Sequence, residues 1–84
     1  MSYQIKILRQ AQKFLGSLYD KDYERIKESI QRLSDEPRPA GCLKLSGREG
    51  WRIRIGNYRV IYEIEEREKI VTILAIAHRR DAYR

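Results

Sequence analysis

Cysteine and histidine each occur once in the 84 residues, as Cys42 and His78. A lone cysteine cannot close an intrachain disulfide, and no Cys/His cluster has the spacing of metal ligands. A disulfide-stapled secreted scaffold and a zinc module are therefore excluded, and no metal site is expected. Long hydrophobic runs are also missing. No stretch approaches the ~20 apolar residues of a membrane span, and the segment from Met1 to Gln10 has no apolar core of the signal-peptide kind. These absences predict a protein of the reducing cytoplasm with no membrane partner. Residues 1–84 have room for a single domain with one modest core and no lobe for an organic cofactor, so no cofactor is expected. Any chemistry must then sit on the surface of one small fold.

Charge of one sign is abundant. The formal net charge is +6 and the pI about 9.7, and five of those six net charges fall between residues 37 and 59. There Arg38, Lys44, Arg48, Arg52, Arg54 and Arg59 face only Glu49. The segment 9–36 is balanced, 60–77 is net negative, and the tail from His78 to Arg84 is basic again. Two concentrated basic patches imply local, salt-sensitive attraction to a polyanion.

Periodicity supplies the architecture. Tyr3, Ile5 and Ile7 alternate with polar residues, as in a half-buried strand. Ala11, Phe14, Leu15, Leu18 and Tyr19 line one face of a helix over roughly 9–19, and Tyr23, Ile26, Ile30 and Leu33 line a second. Asp20 or Asp22 is suited to cap the second helix, and Glu36-Pro37 to end it. The stretch 37–50, with two prolines and three glycines, reads as an irregular loop. Trp51 to Ile55 alternates strictly, Gly56-Asn57 supplies a two-residue turn, and Tyr58 to Ile64 runs back. After a charged turn, Ile70 to Ala77 is apolar on both parities, as a central strand covered on both sides would be. The expected fold is α+β: a strand, a two-helix antiparallel hairpin, then three antiparallel strands, with the helices on one face of the sheet.

A two-residue turn pairs Ile55 with Tyr58, Arg54 with Arg59, Ile53 with Val60 and Trp51 with Tyr62. Trp51, Ile53, Ile55, Tyr58, Val60 and Tyr62 then share the core face, and Arg52, Arg54, Arg59, Ile61 and Glu63 the other. Like charges directly opposite disfavour a hairpin by up to about 1 kcal/mol, so folding alone gives no reason to oppose Arg54 and Arg59. Guanidinium groups match phosphate oxygens in shape and charge, which makes the cluster a candidate backbone clamp. The alternative is a set of solvated charges that keep a strand edge from aggregating. The tail His78-Arg79-Arg80-Asp81-Ala82-Tyr83-Arg84 offers an acid-base group, phosphate ligands and a ring able to stack on a base. Taken alone it reads equally well as a frayed basic terminus.

Three runs together, Lys44-Leu45-Ser46-Gly47, Trp51 through Ile64, and His78 through Tyr83, resemble the RelE branch of the RelE/ParE toxin superfamily. The resemblance implies a RelE-like fold and the toxin of a type II toxin-antitoxin system. It further implies a metal-independent endoribonuclease that cuts mRNA in the ribosomal A site and is neutralised by a RelB-like antitoxin. It assigns catalytic roles to Arg52, Arg54, Arg59, Arg79 and Tyr83; His78 joins them as a candidate acid-base group because it is the only side chain of the chain with an ordinary pKa near neutrality, and Lys44, Arg48, Arg80 and Arg84 of the two basic patches are candidate RNA-binding residues. Arg59 matches an arginine that holds the scissile phosphate, Arg79 one near the leaving oxygen, and Tyr83 a tyrosine that packs on the nucleotide.

Arg52 and Arg54 stand where the best-known members carry lysine, and Ser46 where some carry an RNA-binding arginine. An arginine stays protonated and cannot take the proton of a 2′-hydroxyl, so the general base lies between His78 and Tyr83. Two other readings share the pattern: a ParE-type toxin that binds DNA gyrase without cutting RNA, and a non-catalytic RNA-binding domain. Cys42 has no partner base and is read as a structural thiol.

Overall fold

A computed structural model describes residues 2–78, with the elements β1 (Gln4–Ile7), α1 (Arg9–Gly16), α2 (Asp20–Arg32), β2 (Leu43–Lys44), β3 (Trp51–Ile55), β4 (Tyr58–Glu65) and β5 (Ile70–His78). The strands form one mixed sheet in the order β1-β5-β4-β3-β2, with β1 parallel to β5 and the remaining pairs antiparallel. Both helices cover the same face. Ala11 and Leu15 of α1 and Ile26, Ile30 and Leu33 following the α2 stripe bury against Ile53, Val60, Tyr62, Val71, Ile73 and Ile76 of the sheet. Among the described residues the other face carries no layer. Among the described residues no helix is long and apolar enough to cross a membrane.

The helix boundaries differ from expectation for local reasons. Helix α1 stops at Gly16, where the Ser17 hydroxyl donates to the Phe14 carbonyl at 2.6 Å and the Ser17 amide donates to the same oxygen at 3.0 Å. Leu18 still packs on the core, but Tyr19 leaves the apolar face and is 89% exposed as the residue preceding α2. Neither Asp20 nor Asp22 caps α2. Both lie inside its first turn, where a carboxylate favours the positive end of the helix dipole, and the Asp22 carboxylate is taken by another partner described below. The helix gives way at Arg32 to tight turns, closed by the Ser34 amide on the Gln31 carbonyl and the Glu36 amide on that of Arg32, before Pro37 is reached.

The sheet departs from the sequence reading in two places. The segment 37–50 is not wholly irregular, since Leu43 and Lys44 pair with Arg52 and Trp51 as an edge strand. Strand β5 is internal but, among the described residues, covered on only one face, and its double parity has another cause. Tyr62 pairs with Ile73 while the preceding Ile61 pairs with Ala75, so Leu74 is an extra residue and the strand bulges there. Before the bulge Val71 and Ile73 face the helices; after it the inward parity passes to Ile76 and His78. An apolar run on both parities is what a bulged strand with a single covered face needs.

Tyr62 is fully buried, and its hydroxyl donates to the Pro37 carbonyl at 2.7 Å. Burial first, then the adjacent Cys42, raises its pKa well above the usual tyrosine value, so it remains a donor. This bond ties the start of the long loop to the sheet. Tyr62→Phe removes the donor and leaves that carbonyl unmatched, which should cost about 1–2 kcal/mol. The check is a urea unfolding midpoint that falls with unchanged slope; an unaltered midpoint would show that the bond contributes nothing.

Candidate nucleic-acid interface

The hairpin register follows from its turn. Gly56 adopts φ +59°, which the first central position of a two-residue hairpin turn requires. Ile55 pairs with Tyr58, Arg54 with Arg59, Ile53 with Val60, Arg52 with Ile61 and Trp51 with Tyr62, as expected from the sequence. Arg52, Arg54 and Arg59 therefore emerge together on the face without helices. Arg54 is exposed, while Arg52 and Arg59 are half-buried.

Two recesses open around these arginines. One, of about 410 Å³, is bordered by Leu45, Ser46, Arg48, Arg52, Arg59 and Ile61. The other, of about 220 Å³, is bordered by Gly41, Leu43, Arg52, Arg54 and Arg59. Small side chains keep the face low beside them, since Arg59 lies opposite Ala77 and Ile61 opposite Ala75. Further along the same face the charge reverses: Glu49, Glu63 and Glu65 line a third recess of about 260 Å³. The open face is thus basic near the hairpin turn and acidic toward the β4–β5 turn. A polyanion is attracted to one end and repelled from the other.

Two residues singled out from the sequence sit elsewhere. Lys44 borders the larger recess, but it pairs with Trp51, and its ammonium lies over the Trp51 ring at 5.4 Å, with the Arg38 guanidinium also over that ring at 5.1 Å. That cation is engaged on an aromatic face. His78 pairs with Tyr58 on the helix-covered side, where its ring meets Tyr58 edge to face at 5.6 Å and 81°. The structure therefore does not bring His78 together with Arg52, Arg54 and Arg59, because the bulge in β5 switched its parity. Arg79, Arg80, Tyr83 and Arg84 lie outside the described residues.

Behind the arginine face, Tyr58 joins three elements. Its ring also meets Phe14 of α1 at 6.1 Å and 73°, and its hydroxyl donates to Asp22 Oδ2 of α2 at 3.0 Å. The Arg25 guanidinium lies against the turn, 3.3 Å from where a Cβ on Gly56 would stand. The hairpin tip and the end of β5 are thus both fastened to the helix layer. Sequence reading placed Tyr58 in the core but missed its partner, since Asp22 carries the signature of a helix start. Leu43 was missed as well, because a two-residue strand has no detectable period.

Among the described residues no three His, Cys, Asp or Glu side chains are grouped to hold a metal ion. The cations this face offers are its own guanidinium groups.

The two-helix layer on a mixed sheet is an architecture this chain shares with solved RelE toxins. The chain belongs to the RelE/ParE toxin superfamily: residues 5–83 match the family model described as ParE toxin of the type II toxin-antitoxin system, parDE. It is similar in structure to RelE in the archaeal RelE-RelB complex of Pyrococcus horikoshii OT3, with TM-score 0.85 and 36% identity over 98% of this chain and 100% of that one. The RelBE2 toxin-antitoxin complex of Mycobacterium tuberculosis contains a chain with TM-score 0.82 and 25% identity, covering 93% of this chain and 99% of that one. A protein of Methanocaldococcus jannaschii named toxin RelE1 is 28% identical over 88 residues, 100% of this chain and 98% of that protein. These are likenesses of whole domains, with the sequence-expected fold class among what they share.

The Asp22 hydrogen bond is the main reason the Tyr58 pKa lies above the ordinary 10.0, with burial and the carboxylate's charge adding to it. The neutral tyrosine is the donor, so its contribution is complete below pH 10.0 and disappears as pH rises through the raised pKa. Asp22→Asn should bring the Tyr58 ionisation back down toward the ordinary value in an NMR titration of the ring. An identical Tyr58 titration in wild type and variant would mean the bond does not form.

Proposed function

We propose that this chain is the toxin of a type II toxin-antitoxin pair and acts as an endoribonuclease on mRNA, probed most directly in the ribosomal A site. The observation that carries the reading is the in-register pairing of Arg54 and Arg59 beside Arg52 on a face the helices leave open. Opposed like charges oppose the hairpin by up to about 1 kcal/mol, and an anion between them converts repulsion into binding.

In the proposed reaction the RNA's own 2′-oxygen attacks the adjacent phosphorus and gives up its proton, the P–O5′ bond breaks, and the departing 5′-oxygen is protonated. The products are a 2′,3′-cyclic phosphate and a 5′-hydroxyl. Arg59, with Arg79 of the tail, stabilises the charge that develops on phosphorus-bound oxygens, while Arg52 and Arg54 hold flanking phosphates. Fixed cations in a preorganised site supply the main catalytic term in place of a metal. Since His78 packs on Tyr58 behind the sheet, the proton acceptor is assigned to Tyr83 or to solvent, with His78 holding the strand end from which the tail departs. Arg48, Arg80 and Arg84 extend the track for the RNA backbone. A RelB-like antitoxin is the proposed partner, as the similar Pyrococcus horikoshii RelE was solved with RelB.

The ParE-type reading retains one specific support, the ParE description of the matching family model. Purified chain should cut mRNA on programmed ribosomes with and without EDTA in preassembled, buffer-stabilised complexes. A 2′-deoxy sugar at the scissile position should abolish cutting. Arg59→Gln should lower the single-turnover rate by about 10²-fold or more. Intact mRNA together with inhibited supercoiling by purified gyrase would replace this reading with the ParE one, and cutting of the deoxy substrate would eliminate the 2′-hydroxyl as nucleophile.

A further inference from the structure

Leu43 is 54% exposed on the most strongly cationic part of the molecule, a position that water disfavours and the core does not use. Its register explains the surroundings. Leu43 pairs with Arg52, and Arg52 pairs with Ile61, so β2, β3 and β4 present a straight row of apolar, cationic and apolar side chains. The two recesses are built on this row. Both contain Arg52 and Arg59, but one adds Leu43, Gly41 and Arg54, and the other Ile61, Leu45 and Arg48. At Gly41 even an added Cβ would meet nothing within 4 Å, which leaves the floor of the smaller recess open.

We propose that the two recesses are paired nucleoside subsites on either side of the phosphate that Arg59 holds, with Leu43 and Ile61 as the apolar surfaces for two successive bases and Arg52, in the row between those surfaces, on the adjoining phosphate. This rests on the RNA reading above and adds to it which bases are held and how. Leu43 and Ile61 are separated by two strand spacings, about 10 Å, whereas stacked bases rise about 3.4 Å along a strand. The two bases are therefore splayed rather than stacked, a geometry open to a single strand and not to a base-paired helix. At about 220 Å³ the smaller recess falls below the about 300 Å³ at which pockets for drug-sized ligands begin, and suits a single planar group. The carboxylates of Glu63 and Glu65 beyond Ile61 repel a phosphate chain and mark where the track ends.

The test uses the full chain and a short non-cleavable probe, a 2′-O-methyl RNA hexamer, beside a backbone of equal charge whose central two positions are abasic. Wild type should bind the hexamer about tenfold more tightly than the abasic backbone, the value of a partly buried apolar contact. The Leu43 and Ile61 methyl resonances should move upfield with the hexamer alone. Leu43→Ser should remove most of the tenfold gap while keeping the salt dependence, and Arg52→Gln should weaken both probes and flatten the salt slope by about one unit. Ile61→Ser gives an independent readout should the edge position alter β2. Equal affinity for the two probes, an undiminished gap in both Leu43→Ser and Ile61→Ser, or no binding of either probe would overturn the proposal. Because the probe cannot be cut, a base preference without nuclease activity on mRNA would support these subsites while rejecting the catalytic reading.

Discussion

The two-residue turn at Gly56-Asn57 sets the register between β3 and β4, and in a sheet a slip of one residue sends every side chain of a strand to the opposite face. Here the consequence would be severe on both sides. Ile53, Val60 and Tyr62 would leave the core, and Arg52, Arg54 and Arg59 would be driven into it. Moving charged guanidinium groups into an apolar core costs far more than the repulsion between Arg54 and Arg59 on the open face. Core formation thus enforces an arrangement of arginines that the hairpin by itself would resist. The Tyr58-Asp22 bond and the Arg25 contact at Gly56 hold the same turn against the helix layer.

The bulge at Leu74 has an equally local origin and a wider effect. By exchanging parity within β5, it lets Val71, Ile73 and Ile76 all reach one helix layer while the opposite face keeps Ala75 and Ala77 beside Ile61 and Arg59. Those small side chains leave the shallow ground on which the recesses rest. The same exchange directs His78 toward Tyr58 and Phe14. The only histidine of the chain consequently serves the joint between hairpin and helices, and the chemistry proposed for the open face depends on arginine charge and on the tail beyond residue 78.

The hairpin was legible in the sequence because strict alternation and a glycine-containing two-residue turn leave little freedom of register. The two helical stripes were legible because each repeats over several turns. What escaped notice has short-range or long-range causes. The spacing of Tyr19 continues the first stripe and places it in the first helix, yet Gly16 and Ser17 end the helix before it. Strand β2 has two residues and no period, so Leu43 could not be placed on the arginine face. The Leu74 bulge produces a continuous apolar run that resembles a doubly covered strand. Asp22 gives a helix-start signal whose actual partner, Tyr58, is 36 residues away. The open-face arginines were readable from parity, whereas the separation of His78 from them depended on the bulge.

In the proposed function Arg54 and Arg59 face each other for the sake of an anion and not for the fold. Arg54→Gln separates those two purposes in a single protein. Removing the repulsion should leave the free chain as stable as wild type or a few tenths of a kcal/mol more stable. Its affinity for RNA should fall, and the slope of log affinity against log salt should flatten by about one unit. A clear loss of thermal stability in the free protein, with RNA affinity and salt slope unchanged, would contradict the account and return Arg54 to a structural role.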